Sequence, residues 1–472
     1  MKRRKKIVRA AAATVAFLTL ALLLALWLRP PDLLRIGAAY AAKIVCSNVF
    51  LADRDPGEVL RDDVQAPGIW LLRLVSVSVD REHGVVRAGF FGFIGNGLAV
   101  ARPGGGCAVW PEGKLGALKA YESTPWPSAA TSSPGASTPL PNAPSARDLP
   151  WPDGNASDID PDLNRLIADD ALTGFGTRAV LVVHSGKLVA ERYDDGFGPE
   201  TRQLGWSMTK SVTAALIGIA VKEGRIALNQ RALWTPGDGR ENIKLADLMS
   251  MTSGLHFNEG YGAVSDVTRM LFLEPDMAAF ARAQPLDHPA GTSWSYSSGT
   301  AVILARIFQE SAGPAALSWV HERLFDPLGM SSAVIETDAH GTLVGSSYMY
   351  ATPRDWARYG QFLLQQGTWH GQEILPRGFV TFMTTPVPAS GGQYGQGQVW
   401  LWGSDAATPG ENPDRAHGIP PDCFWMQGHD GQFVAIIPSR ALVVVRLGLT
   451  PSREHYRPQP LVRALLAALP AS

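Results

Sequence analysis

The chain has 472 residues, with 42 Lys and Arg against 43 Asp and Glu and a formal net charge of -1. Charged residues make up only 18%, so there is no broad cationic surface, and a nucleic-acid binder is excluded as the leading class. The 46% apolar content can fill a large core, and the length exceeds that of a typical single domain.

The one break in this even charge is at the start. Lys2, Arg3, Arg4, Lys5, Lys6 and Arg9 precede an uncharged apolar run from Ala10 to Leu28, with Trp27 near its far end. As a helix, that run rises about 28 Å, close to the roughly 30 Å hydrocarbon core of a bilayer. The basic flank places its own end in the cytoplasm. Residues 1–29 are therefore expected to form a basic tip and a single-pass anchor in the cytoplasmic membrane, with the remainder extracytoplasmic, in the periplasm. The rival is a signal peptide cleaved on secretion, whose apolar region is usually shorter. Its only tidy small-x-small site, Ala39-Tyr40-Ala41, lies far downstream, so a retained anchor is the expectation.

Residues 30–122 read as a small β-rich element. Ile69 to Val79 alternates apolar and polar residues, and Val85 to Phe93 and Leu98 to Val109 are strand-like runs broken by glycines. A substrate-side module and a spacer both fit. In an oxidising compartment Cys46 and Cys107 are expected to form a disulfide, the alternative being two buried thiols; Cys423 reads as a small packed residue. Residues 123–154 are rich in Pro, Ser, Thr and Ala and almost uncharged before Arg147, which is a linker composition.

From residue 155 to 472 the pattern is mixed α and β. Thr177 to Val183 and Lys187 to Tyr193 make a hairpin across Ser185-Gly186. Ser207-Met208-Thr209-Lys210 then opens an apolar run, Val212 to Val221, that is apolar on almost every face and ends at Gly224, as a buried helix would. Residues three apart share a helix face, so Lys210 can reach Ser207. Burial lowers a lysine pKa, and a neutral amine beside a hydroxyl can take its proton. The helix N-terminus adds unpaired amides suited to a developing oxyanion. Farther on, Ser293-Trp294-Ser295-Tyr296-Ser297-Ser298-Gly299 is a polar loop feeding a helix from Ala301 to Ile307. Gly428-His429-Asp430-Gly431-Gln432 leads into a strand pair, Phe433 to Ile437 and Leu442 to Leu447, and Leu461 to Leu469 reads as a closing helix.

These three segments, in this order, resemble the serine hydrolases of the penicillin-binding protein and class C β-lactamase superfamily. Leu248 to Leu255 is similar to that family's "LLxxTSGL" segment and Pro327-Leu328-Gly329-Met330 to its "PLGM" turn. Ser346 to Arg358 and Gly371 to Pro376 are similar to its later helices, so the likeness covers roughly 155–472. It implies a β-lactamase/transpeptidase-like α/β (α+β) fold: an antiparallel sheet flanked by helices, with an inserted helical subdomain and the active site between them. It also implies Ser207 as the acylated nucleophile, Lys210 as its proton acceptor and Tyr296 as a proton shuttle, leaving open which of Lys210 and Tyr296 is the general base. The implied oxyanion hole is the backbone N–H of Ser207 with that of Gln432.

Two departures narrow the substrate. Ser298 stands where the lactamases have Asn, and His429 replaces their lysine, removing a permanent cation that attracts a substrate carboxylate. Both fit the family's esterases and 6-aminohexanoate-dimer hydrolases best. Tyr261 is either a substrate-side tyrosine of that branch or a packed loop aromatic. Rival motifs fail. Thr209 breaks a Gly-x-Ser-x-Gly elbow, Phe325 stands where a zincin starting at His321-Glu322 needs histidine, and Gly391 to Gly397 precedes strand-like Val399 to Trp402 rather than a helix, reading as a flexible hairpin entry. No metal site or cofactor is expected. The expectation is thus an anchored serine hydrolase acting on a small-molecule amide or ester, with no nucleic-acid partner and no signal of oligomeric state. The alternatives are a DD-carboxypeptidase or β-lactamase and a non-catalytic envelope-binding protein that retains the fold.

Overall fold

The computed structural model describes residues 2–111, 149–231, 234, 237–404 and 411–470, so most of the expected linker 123–154 lies outside the described residues. The chain divides into two compact units, one of Met1–Ala101, Cys107–Tyr121 and Gly260–Pro275, the other of Arg102–Gly106, Glu122–Glu259 and Asp276–Ser472.

The first unit begins with helix α1 (Lys2–Leu28) and, after Pro30-Pro31, α2 (Asp32–Leu51). Both are long and apolar enough to cross a membrane, but the apolar window of the first is 0% buried and that of the second 72% buried. α2 is thus a core helix, and Ala39 and Ala41 lie inside it. Against it packs a four-stranded antiparallel meander, β1 (Val75–Asp80), β2 (Val85–Phe90), β3 (Ile94–Arg102) and β4 (Gly106–Val109). The expected strand from Ile69 to Val79 is shorter. Trp70–Leu74 is a 3-10 turn that tucks Leu72 against Gly37 of α2, and pairing starts only at Val75. The run Leu98 to Val109 is likewise two strands, split by a turn at Pro103 to Gly105.

Segment 260–275, assigned from the sequence to the hydrolase region, belongs to this first unit. Its helix Asp266–Leu273 lays Phe272 edge-on to Tyr40 at 5.6 Å, and Arg269 pairs with Asp32 at 2.9 Å. Cys46 and Cys107 are disulfide-bonded, with Cα atoms 6.0 Å apart.

In the second unit, a five-stranded antiparallel sheet joins the two ends of the hydrolase region. β5 (Thr177–His184) and β6 (Lys187–Tyr193) form the expected hairpin, whose turn places Ser185 and Gly186 at φ 51° and 77°, the geometry two-residue hairpins prefer. Helix α3 (Thr209–Lys222) comes next, then α4 (Ser298–Ala312) and α5 (Pro353–Leu364). The chain returns with β7 (Phe424–Gly428), β8 (Gln432–Ile437), β9 (Leu442–Gly448) and α6 (Gln459–Ala468). The sheet order is β7-β8-β9-β5-β6, closed by register pairs such as Val444 with Val182, so everything from Gln203 to Cys423 is an insertion between its strands.

Helices cover both faces of that sheet, which is why its strands are nearly continuous apolar runs. On one face Val182, Phe433, Ala435 and Val444 meet Leu461, Val462 and Leu465 of α6. On the other, Gly360 of α5 approaches so closely that an added Cβ would lie 2.6 Å from Val443. Tyr359 of α5 then donates to Ser211 O on α3 at 2.7 Å, tying the sheet to the buried helix after Ser207.

The Cys46 to Cys107 bridge closes a loop of 61 residues. Replacing both cysteines with serine is expected to cost about 4 kcal/mol on the chain-entropy model, read as a lower denaturant midpoint. A peptide map of the unreduced protein is expected to show the two cysteine peptides linked.

Candidate active site

Ser207 sits in a tight turn, Trp206–Met208, that feeds directly into α3. Three contacts fix the turn. Gly205 N–H donates to Met349 O at 3.0 Å, Thr209 Oγ1 donates to Trp206 O at 2.6 Å, and Met349 N–H donates back to Thr209 Oγ1 at 3.1 Å. Gly205 has no room for a side chain, since a Cβ would lie 2.2 Å from Trp356. Trp206 takes φ 48°, a conformation a bulky residue adopts only when its surroundings force it. Met208 N–H makes the first hydrogen bond of the turn, to Gly205 O, so Ser207 N–H is among the amides that precede it.

One turn on, Lys210 is 1% exposed and its Nζ meets three oxygens: Ser207 Oγ at 2.9 Å, Ser298 Oγ at 3.1 Å and Ser346 O at 2.9 Å. Ser298, the first residue of α4, passes the chain on, its Oγ donating to Glu259 Oε1 at 2.5 Å and its N–H to Glu259 Oε2 at 2.8 Å. Burial pulls the Lys210 amine down from 10.5 to about 8, with the Glu259 carboxylate opposing. When the amine loses its proton, its two remaining hydrogens suit Ser298 Oγ and Ser346 O. The lone pair is then left for the Ser207 hydroxyl, the arrangement a base needs.

The Tyr296 ring lies 4.8 Å from Lys210 Nζ and is walled by Trp400 at 5.2 Å and Tyr394 at 5.9 Å between centroids. Burial and the nearby Glu259 push its hydroxyl well above the usual tyrosine range, with a hydrogen bond to Ser207 pulling the other way. Tyr296 therefore stays a phenol at neutral pH and can donate a proton. Gly391 to Gly397 enters a hairpin as expected, through the antiparallel bridge of Tyr394 to Trp400, but it is not a flexible one, because Tyr394 is fully buried.

His429 lies in the turn between β7 and β8, its ring edge-on to Trp206 at 5.7 Å. The turn is tight, with Asp430 at φ 59° and Gly431 at φ 79°. Gly428 carries no side chain because a Cβ would come within 2.3 Å of Gly205 O, which brings the two glycine backbones against each other. Gln432 uses its side chain on both backbone groups of Gly448, accepting from the N–H at 3.0 Å and donating to the carbonyl. Beneath lies Arg446, fully buried in β9. Its guanidinium donates to Gly431 O at 2.7 Å, to Thr173 O at 2.7 Å and to the hydroxyls of Thr450 and Thr177 at 2.6 and 3.0 Å. Gly431 C=O and Gln432 N–H belong to one planar peptide group, so a cation on the oxygen orients and polarises the N–H on the opposite side.

Of the residues expected from sequence, Ser207, Lys210, Tyr296 and Ser298 come together directly, while His429 and Gln432 lie on the strand turn packed against the Ser207 turn. Tyr261 belongs to the first unit with residues 260–275. Sequence reasoning missed Glu259 and Arg446. The lone charge in the apolar run Leu442 to Leu447 was a usable signal, because a charged residue inside a central strand must have partners. Among the described residues no cluster of His, Cys, Asp or Glu could hold a metal ion.

The family model for Beta-lactamase matches residues 164–468, about two thirds of the chain. This chain belongs to the beta-lactamase family. Among curated members, it is 26% identical over 224 residues to a 6-aminohexanoate-dimer hydrolase of Paenarthrobacter ureafaciens, covering 43% of this chain and 56% of that one. It is 27% identical over 174 residues to a D-aminopeptidase of Brucella anthropi, covering 34% and 33%. The chain thus spans about half or less of the curated relatives it matches. A solved structure named for a 6-aminohexanoate-dimer hydrolase of Bacillus anthracis superposes with TM-score 0.55 at 23% identity, over 66% of this chain and 88% of that one. It supports the β-lactamase/transpeptidase-like fold within the beta-lactamase family.

Because Glu259 raises the Lys210 pKa, neutralising it is expected to move that pKa further below about 8. An NMR titration of the Lys210 amine in Glu259→Gln against the parent checks the direction; an unchanged or raised value contradicts the relay through Ser298.

Proposed function

We propose that this chain is a serine hydrolase that cleaves a small amide or ester through a covalent acyl-enzyme on Ser207. The observation that carries this is the desolvated Lys210 amine, whose neutral form has one lone pair to offer and faces the Ser207 hydroxyl. Ser207 Oγ attacks the substrate carbonyl as its proton passes to Lys210. Tyr296, held as a phenol, gives its proton to the leaving amine or alcohol and is reprotonated from Lys210. Water then repeats the sequence on the acyl group, freeing the acid. The oxyanion is held by the N–H groups of Ser207 and Gln432, and Arg446 acts as a positioning residue for the second.

On this reading Lys210 is the base and Tyr296 the acid, because the amine is lowered toward neutral pH while the phenol is raised away from it. The preferred substrates are amides or esters with no requirement for a carboxylate held by a lysine, which favours aminohexanoate-like and short peptide amides over penicillins. We place the enzyme on the cytoplasmic membrane through α1, with both compact units extracytoplasmic. Cleavage at Ala39-Tyr40-Ala41 would remove the first turns of the buried helix α2, which supports a retained anchor.

A fluorophosphonate probe is expected to label the parent chain but not Ser207→Ala, and the absence of any labelling would favour the non-catalytic alternative. Lys210→Ala is expected to lower kcat/KM by roughly a hundred- to ten-thousand-fold. With the parent enzyme kcat/KM should rise with pH through an apparent pKa near 8, because the base is active only once Lys210 is neutral. On a panel of p-nitrophenyl esters, linear aminohexanoate amides and a chromogenic cephalosporin, fast cephalosporin turnover without esterase or amidase activity would reverse the substrate assignment. Intact mass of membrane-extracted protein is expected to include α1.

A further inference from the structure

Outside α1, only four Phe or Trp side chains among the described residues are exposed, and three of them, Trp70, Phe91 and Phe93, lie in the first unit near the start of α2. Trp70 is 72% exposed and Phe91 58%. Connectivity and packing bring them together. Phe91 N–H donates to Leu74 O at 2.8 Å, which joins the β2–β3 turn to the end of the Trp70–Leu74 turn. Leu72 and Phe90, the buried neighbours of these side chains, both close on Gly37, at 3.2 and 3.0 Å from an added Cβ. Gly95, just after Phe93, packs on Leu34 O, 2.7 Å from its added Cβ. The two turns that carry these rings therefore pack against the first turns of α2, and α2 starts four residues after α1 ends. The five helical steps from Asp32 to Gly37 rise only about 7–8 Å.

Nothing inside the unit accounts for this exposure. Phe91 takes φ 53°, followed by Gly92 at φ 84°, so the turn holds a bulky ring outward in a conformation that costs free energy without burying it. Arg73, in the same turn as Trp70, and Arg29, just after α1, are both exposed. Aromatic rings with adjoining cations at the end of a spanning helix match the chemistry of the membrane–water interface, where rings lie at headgroup level and arginines meet phosphates.

We propose that Trp70, Phe91 and Phe93 form a bilayer-contacting surface that rests the first unit on the outer leaflet beside its anchor. The occupant is the phospholipid interface, because the patch adjoins the start of α2, which follows the end of a spanning α1 within four residues, and carries exposed aromatic rings beside exposed arginines. The patch adds a second, non-spanning contact and restricts swivelling about Arg29 to Pro31. This rests on α1 being a retained span.

The test uses the full chain in phospholipid vesicles, with an environment-sensitive fluorophore on a single introduced cysteine. Cys46 and Cys107 are bonded and Cys423 is buried, so the new thiol is the reactive one. Phe91→Cys and Trp70→Cys labels are expected to lose about half their emission to a lipid spin-labelled near its headgroup, whereas Glu82→Cys, at the far end of the β1–β2 hairpin, stays unquenched. Leu18→Cys reports the anchor itself. Quenching at Leu18 with none at Phe91 or Trp70 overturns the surface while leaving the anchor standing. No quenching at any of the three, with intact mass lacking α1, overturns both. A Trp70→Ser, Phe91→Ser, Phe93→Ser triple variant is expected to keep its kcat on a soluble ester and to gain water accessibility at a Leu33→Cys label; unchanged accessibility counts against the proposal.

Discussion

The exclusion of water from one amine organises the second unit. A lysine in contact with solvent near 10.5 would be a poor proton acceptor at neutral pH, and the site lowers Lys210 to about 8 chiefly by burial. That shift has a stability cost on the order of 3 kcal/mol below pH 8. Because the folded-state value lies below the unfolded one, the cost fades as pH rises from about 8 towards 10.5. The fold carries it by giving each hydrogen of the ammonium an acceptor from a different element: Ser207 from the turn before α3, Ser298 from the start of α4, and Ser346 O from the segment leading to the strand Met349–Ala351. Moving any one of these elements would leave a buried polar group unpaired, so the site and the packing of the helical insertion are the same constraint.

A second buried cation performs a different task. Arg446 is fully buried under the turn, and burial lowers its pKa. Its acceptors are carbonyls and hydroxyls, among them the oxygen of the Gly431 peptide. In the proposed mechanism this places fixed positive charge behind the Gln432 N–H, where it supports the oxyanion.

The first unit shows how far domain boundaries can stray from sequence order. Composition separates residues 30–122 from the linker and the hydrolase region, yet Gly260–Pro275 contributes a helix to that unit from deep inside the hydrolase sequence, through Phe272 on Tyr40 and Arg269 on Asp32. No local signal marks such an exchange, because each partner looks like an ordinary amphipathic segment until its counterpart is in place.

Local spacing was enough for the core of the site. Ser207 and Lys210 are three residues apart on a helix whose apolar surroundings are written into Val212 to Val221, so their contact and the direction of the lysine shift come from helix geometry and desolvation alone. The strand hairpins, the Ser185-Gly186 turn and the loop before α4 were legible for the same reason: each is set by residues close in sequence. Only the tertiary structure decided the rest. Glu259 meets Ser298 across 39 residues, Ser346 O meets Lys210 across 136 and Arg446 meets Thr173 O across 273, and α2 was missed because residues 30–122 were read from their strand-like runs. Burial and partner choice are properties of the packed chain, and those determine which acceptor completes Lys210, which face of Tyr296 is enclosed and why Trp70 and Phe91 remain in the open.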